Sequence, residues 1–162
     1  MKKTNIANDL ESWFAKAKKV VIAGIGNPIC CDDFAGTKIV QDLQGKVSEK
    51  VHLLECETVP EKYLLDIEEF KPTHVLLVDI AFLGLTPGET RLVDAEKIMD
   101  FTTITTHMLP LHIFCGYIEQ ATGAKIALLL IEPKCVEFGG GLTTEVQASV
   151  EKITKILQRL LG

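Results

Sequence analysis

The feature that most constrains the fold of this chain is a regular alternation between short apolar runs and longer segments of helical periodicity. The apolar runs are rich in β-branched residues, which is typical of strands buried on both faces of a sheet. Strands that alternate with helices form a mainly parallel sheet with helices on both sides. The sequence therefore predicts a three-layer α/β/α sandwich with a mainly parallel, mixed five-stranded sheet. Its strands are expected at residues 19–25, 50–57, 74–81, 90–94 and 125–133, with 90–94 at an edge.

The helices between these strands are marked by apolar periodicity and by residues typical of helix ends. Residues 1–18 predict an amphipathic helix that packs on the α/β core. Thr58 and Glu61 match a capping box, and the helix they begin is predicted to run to about Phe70. Pro110 suits the first turn of a further helix. The last helix is predicted from an apolar stripe made of Leu142, Val146, Val150, Ile153, Leu157 and Leu160.

Composition narrows the class of protein. With 162 residues, 47% of them hydrophobic, residues 1–162 are expected to form a single domain, and we favour a monomer. The net charge of −5 and the lack of a basic block exclude a nucleic-acid surface. No stretch reaches the roughly 20 apolar residues of a membrane helix, so no membrane insertion is expected. The N-terminus lacks the apolar centre of a signal peptide, and the expected location is cytoplasmic. The five cysteines show no CxxC spacing and are expected to be reduced thiols.

The loop "GIGNPICCDDFAG" at residues 24–36 combines a glycine-rich turn with two adjacent carboxylates. A dinucleotide-binding fingerprint requires a third glycine where this chain has Ile29, so the match is partial. Asp32 and Asp33 place negative charge at the helix start that would receive a pyrophosphate. Each like-charge pair costs on the order of 4 kcal/mol at about 4 Å. The loop therefore favours a cation, and one of the two aspartates is expected to cap the helix.

Two further polar residues follow the carboxyl ends of predicted strands. Asp79 ends the most apolar run of the chain, where an unpaired carboxylate would be costly to bury. His107 lies in a threonine-rich loop before a helix, and histidine is a common metal ligand. In an open α/β sheet such residues gather at one edge. One aspartate of the pair Asp32/Asp33 would then form, with Asp79 and His107, an oxygen, oxygen and nitrogen donor set, which suits divalent ions that include nickel and zinc.

Other chemistries have less support. None of the three serines lies in a GxSxG elbow, and the chain has no HExxH helix. A cysteine–histidine nucleophile is compatible with the composition, but no spacing favours it. The alternative that stays open is a non-enzymatic metal- or nucleotide-binding α/β module, because Glu55 or Glu57 could contact a ribose.

Four segments, in order along the chain, resemble the endopeptidases that mature the large subunit of nickel–iron ([NiFe]) hydrogenases. "GIGNPICCDDFAG" is similar to the opening motif of that family, a GxGN turn with an acidic pair, and "HVLLVDIAFLGLTPGE" to its central strand and Pro-Gly turn. "TTHMLPL" resembles its Thr-His motif, and "IEPKCVEFGGGLTTEV" its closing segment. The resemblance covers residues 19–161.

The resemblance implies an endopeptidase that removes the C-terminal tail of a hydrogenase large-subunit precursor after nickel insertion. It implies that Asp33, Asp79 and His107 recognise the nickel, which the substrate supplies and which other divalent ions could replace. Asp33 and Asp79 are the implied catalytic residues of an aspartic-type reaction, with a carboxylate as base beside a nickel-polarised carbonyl. Asp32 is implied to cap the helix or to support the ligands from behind. The turn itself is formed by Gly24, Gly26 and Asn27.

Two residues depart from the family pattern in this loop. The family commonly has glycine where this chain has Phe34, and often a small residue at Cys31. Phe34 disfavours a left-handed backbone and adds apolar surface beside the expected metal. Cys31 is a soft ligand that could compete for it.

Overall fold

The computed structural model describes residues 4–100 and 108–162 of the chain. Five strands form one mixed sheet in the order β2-β1-β3-β5-β4, in which β4 is an antiparallel edge strand and the other neighbours are parallel. The predicted fold class is confirmed. The strands are β1 Val20–Ile25, β2 Val51–Glu57, β3 His74–Ile80, β4 Thr90–Asp94 and β5 Lys125–Ile131.

Within the described residues, five α-helices and three 3₁₀ segments precede, connect or follow these strands. No helix among the described residues is both long enough and apolar enough to span a bilayer. The helices are α1 Ile6–Phe14, α2 Ala35–Leu43, α3 Leu64–Phe70, α4 Met108–Thr122 and α5 Thr144–Leu161. The 3₁₀ segments are Cys31–Phe34, Pro60–Tyr63 and Ala95–Asp100.

Two separate cores hold the layers together, one on each face of the sheet. Val20 and Ile22 of β1 point to the core formed with α1, α2 and α5. Val21 and Ala23 point to the opposite core, which contains side chains of α3 and α4. Because successive side chains of a strand point to opposite faces, the continuous apolar run of β1 packs against both helical layers. This is expected for a strand covered on both faces.

Two local predictions about helix starts are wrong. The 3₁₀ segment before α3 has Val59 as its N-cap and shows no side-chain cap hydrogen bond, so Thr58 and Glu61 do not form a capping box. Pro60 takes the first position of that segment, which leaves Thr58 one residue too early to act as the cap. Leu142 also lies outside the last helix, because Thr143 is the N-cap of α5.

Close backbone contact brings the start of α2 to the carboxyl end of the sheet. A Cβ added to Gly36 would lie 2.3 Å from the carbonyl oxygen of Val78 in β3. A Cβ added to Gly24 would lie 2.4 Å from the carbonyl oxygen of Gly36. Both positions therefore require glycine. This packing places the 3₁₀ segment Cys31–Phe34, which precedes α2, at the edge where β1 and β3 end.

Candidate active site

Asp33 is held by the glycine turn that precedes it. Its Oδ2 accepts a hydrogen bond of 2.8 Å from the Asn27 amide. Gly26 has φ +130°, and a Cβ there would lie 2.1 Å from the Asp33 carbonyl oxygen and 2.8 Å from Asp33 Oδ1. Only glycine allows this approach. The other carboxylate oxygen, Oδ1, is buried and has no hydrogen-bond partner among the described residues.

These contacts oppose binding of a phosphate at the turn. The Asn27 amide, which a pyrophosphate could use, already donates to Asp33. The space above Gly26 is filled by the Asp33 backbone and carboxylate. A buried carboxylate oxygen without a donor repels an anion and favours a cation. The residues around Gly26 thus fit a metal and do not fit the nucleotide alternative.

Asp32 has a different environment from its neighbour. Its side chain is fully buried and accepts hydrogen bonds from the amides of Lys134 (2.9 Å), Cys135 (3.0 Å) and Thr143 (2.8 Å). The Thr143 hydroxyl lies 2.9 Å from both carboxylate oxygens of Asp32. Asp32 does not cap the helix that follows it, because neither the 3₁₀ segment nor α2 has a side-chain cap bond. Asp32 instead anchors the loop between β5 and α5. The alternative expectation, that Asp32 supports the ligands, stays a prediction.

Asp79 lies at the next-to-last position of β3, with its side chain fully buried. Its Oδ1 accepts a hydrogen bond of 2.7 Å from the Ile80 amide. Val78 is opposite Gly24 in the parallel register, and the 3₁₀ segment of Asp33 contacts β3. The fold therefore brings Asp33 and Asp79 to the same edge of the sheet, as predicted for the carboxyl ends of parallel strands.

His107, the third predicted ligand, lies outside the described residues. Within residues 4–100 and 108–162, no group of three or more histidine, cysteine, aspartate or glutamate side chains is arranged to hold a metal. The described part of the site thus contains two of the three predicted ligands, Asp33 and Asp79. The assignment of His107 stays a prediction.

The two residues that depart from the family pattern differ in backbone geometry. Phe34 is helical, with φ −75°, so the loop needs no left-handed residue at that position. The left-handed residue is Cys31, with φ +50°. This conformation is costly for a residue with a Cβ. The pKa of the Cys31 thiol is raised to about 11. The main cause is the interaction with the Cys135 thiol, and burial is the second cause.

Sequence reasoning missed one buried carboxylate near the site. Glu132 follows β5, is 4% exposed, and accepts hydrogen bonds from the amides of Leu83 (2.7 Å) and Leu85 (2.9 Å). It therefore holds the segment that leaves β3 just after Asp79. The signal was a charged residue directly after an apolar strand, the same signal that singled out Asp79.

Large apolar side chains are exposed in the three loops that follow β1, β3 and β5. Phe138 is 81% exposed and Ile29 is 58% exposed, and a backbone hydrogen bond of 2.8 Å from Gly139 to the Ile29 carbonyl joins their loops. Phe82 and Val136 are also exposed. Apolar side chains grouped in this way are typical of a surface that binds a protein or peptide.

Comparison with known proteins assigns the chain and its fold to a family. A family model described as a hydrogenase maturation protease (HycI) matches residues 37–160. A putative hydrogenase maturation protease from Methanocaldococcus jannaschii is 32% identical over 152 residues, which cover 89% of each chain. The chain belongs to the hydrogenase maturation protease family. The family model includes the positions of Asp79 and His107 and begins after Asp33.

Other members of the hydrogenase maturation protease family agree over nearly the whole chain. The hydrogenase 3 maturation protease of Escherichia coli K12 is 30% identical over 142 residues, with 88% of each chain covered. The crystal structure of a [NiFe] hydrogenase maturation protease, HycI, from Thermococcus kodakarensis has a TM-score of 0.87 at 30% identity. That match covers 94% of this chain and 98% of the other.

Proposed function

We propose that this chain is an endopeptidase that removes the C-terminal tail of a [NiFe]-hydrogenase large-subunit precursor after nickel has been inserted. Family membership supports peptide-bond hydrolysis during hydrogenase maturation. In this proposal nickel belongs to the substrate, and Asp33, Asp79 and His107 recognise it. The reaction is proposed to take place in the cytoplasm, with the protease as a monomer.

The main support for the proposal is the hydrogen bonding of the Asp33 carboxylate. One oxygen is fixed by the Asn27 amide, and the other is buried without a hydrogen-bond partner among the described residues. A buried acceptor that lacks a donor costs about 1–3 kcal/mol. A divalent cation delivered by the substrate would compensate for that cost. This arrangement supports a site that is completed only when a loaded precursor binds.

The chain's own residues would then have distinct roles in cleavage. The substrate's nickel would polarise the carbonyl of the bond to be cleaved, as a Lewis acid. A carboxylate of Asp33 or Asp79 would take a proton from the attacking water. Asp32 would keep the loop between β5 and α5 beside the site. Ile29 and Phe138 would contact apolar side chains of the precursor.

The direct test is incubation of the full chain with a nickel-loaded precursor and with the same precursor lacking nickel, followed by intact-mass measurement. We expect loss of the C-terminal tail only from the loaded precursor. Failure to shorten a cognate, loaded precursor would refute the proposal. Asp33→Asn and Asp79→Asn should slow cleavage by about 100-fold or more, because changes even to groups that support metal ligands cost roughly 10–100-fold.

A matched control is Asp94→Asn. Asp94 is an exposed carboxylate in the antiparallel strand β4. It lies opposite Ala127, near the start of β5, and therefore toward the amino ends of the parallel strands, away from Asp33 and Asp79. This variant should cleave the precursor at the rate of the unchanged chain. His107→Ala belongs in the same series, and full activity of that variant would remove His107 from the proposed ligand set.

A further inference from the structure

The loops that carry Cys31 and Cys135 are distant in sequence and lie in direct contact. The backbone supports this contact directly. The Asp32 amide donates to the Cys135 carbonyl at 2.9 Å, and the Cys135 amide donates to Asp32 Oδ2 at 3.0 Å. Cys31, which directly precedes Asp32, is therefore brought next to Cys135 by a paired backbone and by a buried carboxylate.

The other three cysteines have different surroundings. Cys56 and Cys115 are buried in the core formed with α3 and α4. Cys30 is half-buried and free, and it is adjacent to Cys31 in sequence. Cys31 and Cys135 belong to neither core; they join the loop that carries Asp33 to the loop that precedes α5.

We infer that Cys31 and Cys135 are a modification site for a small-molecule disulfide, which would join them in an intramolecular Cys31–Cys135 bond. The half-buried Cys135 thiol attacks the small disulfide and releases one reduced thiol, and a mixed disulfide forms. The second thiol then attacks the protein sulfur of that mixed disulfide and releases the second reduced thiol. Both protein thiols are oxidised, and both their protons leave on the two reduced thiols.

The bond changes the geometry next to Asp33. A disulfide requires a sulfur–sulfur distance of about 2.05 Å, which is much shorter than a hydrogen-bond contact between thiols. Cys31 already has φ +50°, and Asp32 is fixed by its hydrogen bonds. The short 3₁₀ segment Cys31–Phe34 must therefore absorb the change, and it includes Asp33. A displacement of about 1 Å can cost a factor of roughly 100 in rate, so oxidation should slow cleavage. This consequence rests on the proposed function.

The chemical test uses the full chain equilibrated with glutathione mixtures of increasing oxidised fraction, then alkylated and weighed intact. We expect the number of alkylated thiols to fall by two, with no glutathione adduct retained. Peptide mapping should link the segment of Cys31 to that of Cys135. Cys135→Ser and Cys31→Ser should each abolish the link. Alkylation of all five thiols across the series would overturn the inference.

Cys30→Ser is the matched control, because Cys30 and Cys31 lie on the same proteolytic peptide. The link should persist in this variant. Its loss would show that Cys30 is the true partner of Cys135 and would contradict the inference. A further readout without substrate is the thermal midpoint, which should rise on oxidation of the unchanged chain and not of Cys135→Ser, since a cross-link restricts the unfolded state.

Cleavage assays separate this inference from the proposed function. The reduced chain should process the loaded precursor, and the oxidised chain should do so about 10-fold more slowly or worse, with recovery after reduction. Equal rates would refute control of the site by the disulfide. Inactivity of the reduced chain would refute the proposed function, while the thiol measurements would still decide whether the bond forms.

Discussion

At the scale of single residues, two adjacent aspartates have opposite environments. Asp32 is surrounded by donors from the loop between β5 and α5. Asp33 retains a buried oxygen without a donor in the described part of the chain. The short 3₁₀ segment points the two side chains in different directions, so one stabilises the loop and the other is available to a cation.

Asp32→Asn should destabilise the fold by about 3 kcal/mol. The amide nitrogen would face backbone donors that now bond to a carboxylate, and buried groups left unsatisfied are costly. Urea unfolding measures the change. Asp94→Asn, at an exposed position, should change the free energy of unfolding by no more than about 0.5 kcal/mol. A similar small effect at Asp32 would contradict the anchoring role.

Gly26→Ala should remove cleavage activity and lower stability by about 2 kcal/mol or more. The new Cβ would clash with the Asp33 backbone at 2.1 Å, and φ +130° is unfavourable for alanine. Gly116→Ala is the control, because that helical glycine has nothing within 4 Å of an added Cβ. It should be neutral or stabilise by up to about 1 kcal/mol. Both variants are compared by urea unfolding and by precursor processing.

At the scale of secondary-structure elements, the site depends on the segments at the carboxyl edge. Gly24 and Gly36 set the distance between α2 and the sheet. Glu132 holds the segment after β3, and Asp32 holds the segment after β5. The first helix contacts β4 and α5 and belongs to the core of one face. Its contribution should therefore concern stability more than catalysis.

Leu10→Ala in α1 tests this separation. Leu10 is fully buried, and its truncation should cost about 2–5 kcal/mol. The cleavage rate per folded molecule should stay unchanged at low temperature. Glu11→Ala, at an exposed position of the same helix, controls for helix propensity. A selective loss of cleavage in a fully folded Leu10 variant would show that α1 influences the site.

At the scale of the whole molecule, a buried histidine links stability to pH. His74 is 3% exposed, and its ring packs against Trp13 with centroids 4.9 Å apart. Burial, and then the charge of Lys125, lower the pKa of His74. Below the ordinary histidine pKa of about 6.5, the unfolded chain binds a proton that the folded chain does not. Stability is therefore fully present above that pKa and declines as the pH falls toward the lowered folded value.

His74→Phe should remove this part of the pH dependence between about pH 7.5 and 5, where carboxylates contribute little. Urea unfolding across that range measures the slope of the unfolding free energy for each variant. His112→Gln, at an exposed helical position, should retain the decline. An unchanged slope in His74→Phe would assign the pH dependence to other groups.

Local sequence signals predicted most elements because each signal acts within a few residues. The apolar runs of β1 and β3, the edge strand at residues 90–94 and the helix with Pro110 in its first turn are all present. The predictions failed where a neighbouring residue changed the local geometry. Pro60 moved the start of its helical segment past Thr58, and the hydrogen bonds of Asp32 went to a loop more than 100 residues away.

The sequence by itself determined the layered fold and the two segments that carry Asp33 and Asp79, because hydrophobic periodicity and turn chemistry are local properties. Only the tertiary structure decided how the two adjacent aspartates differ. That difference depends on which backbone amides from the β5–α5 loop reach Asp32 and on the contact of Gly26 with Asp33. The tertiary structure also brings Cys31 beside Cys135, a contact between loops that no spacing along the chain reveals.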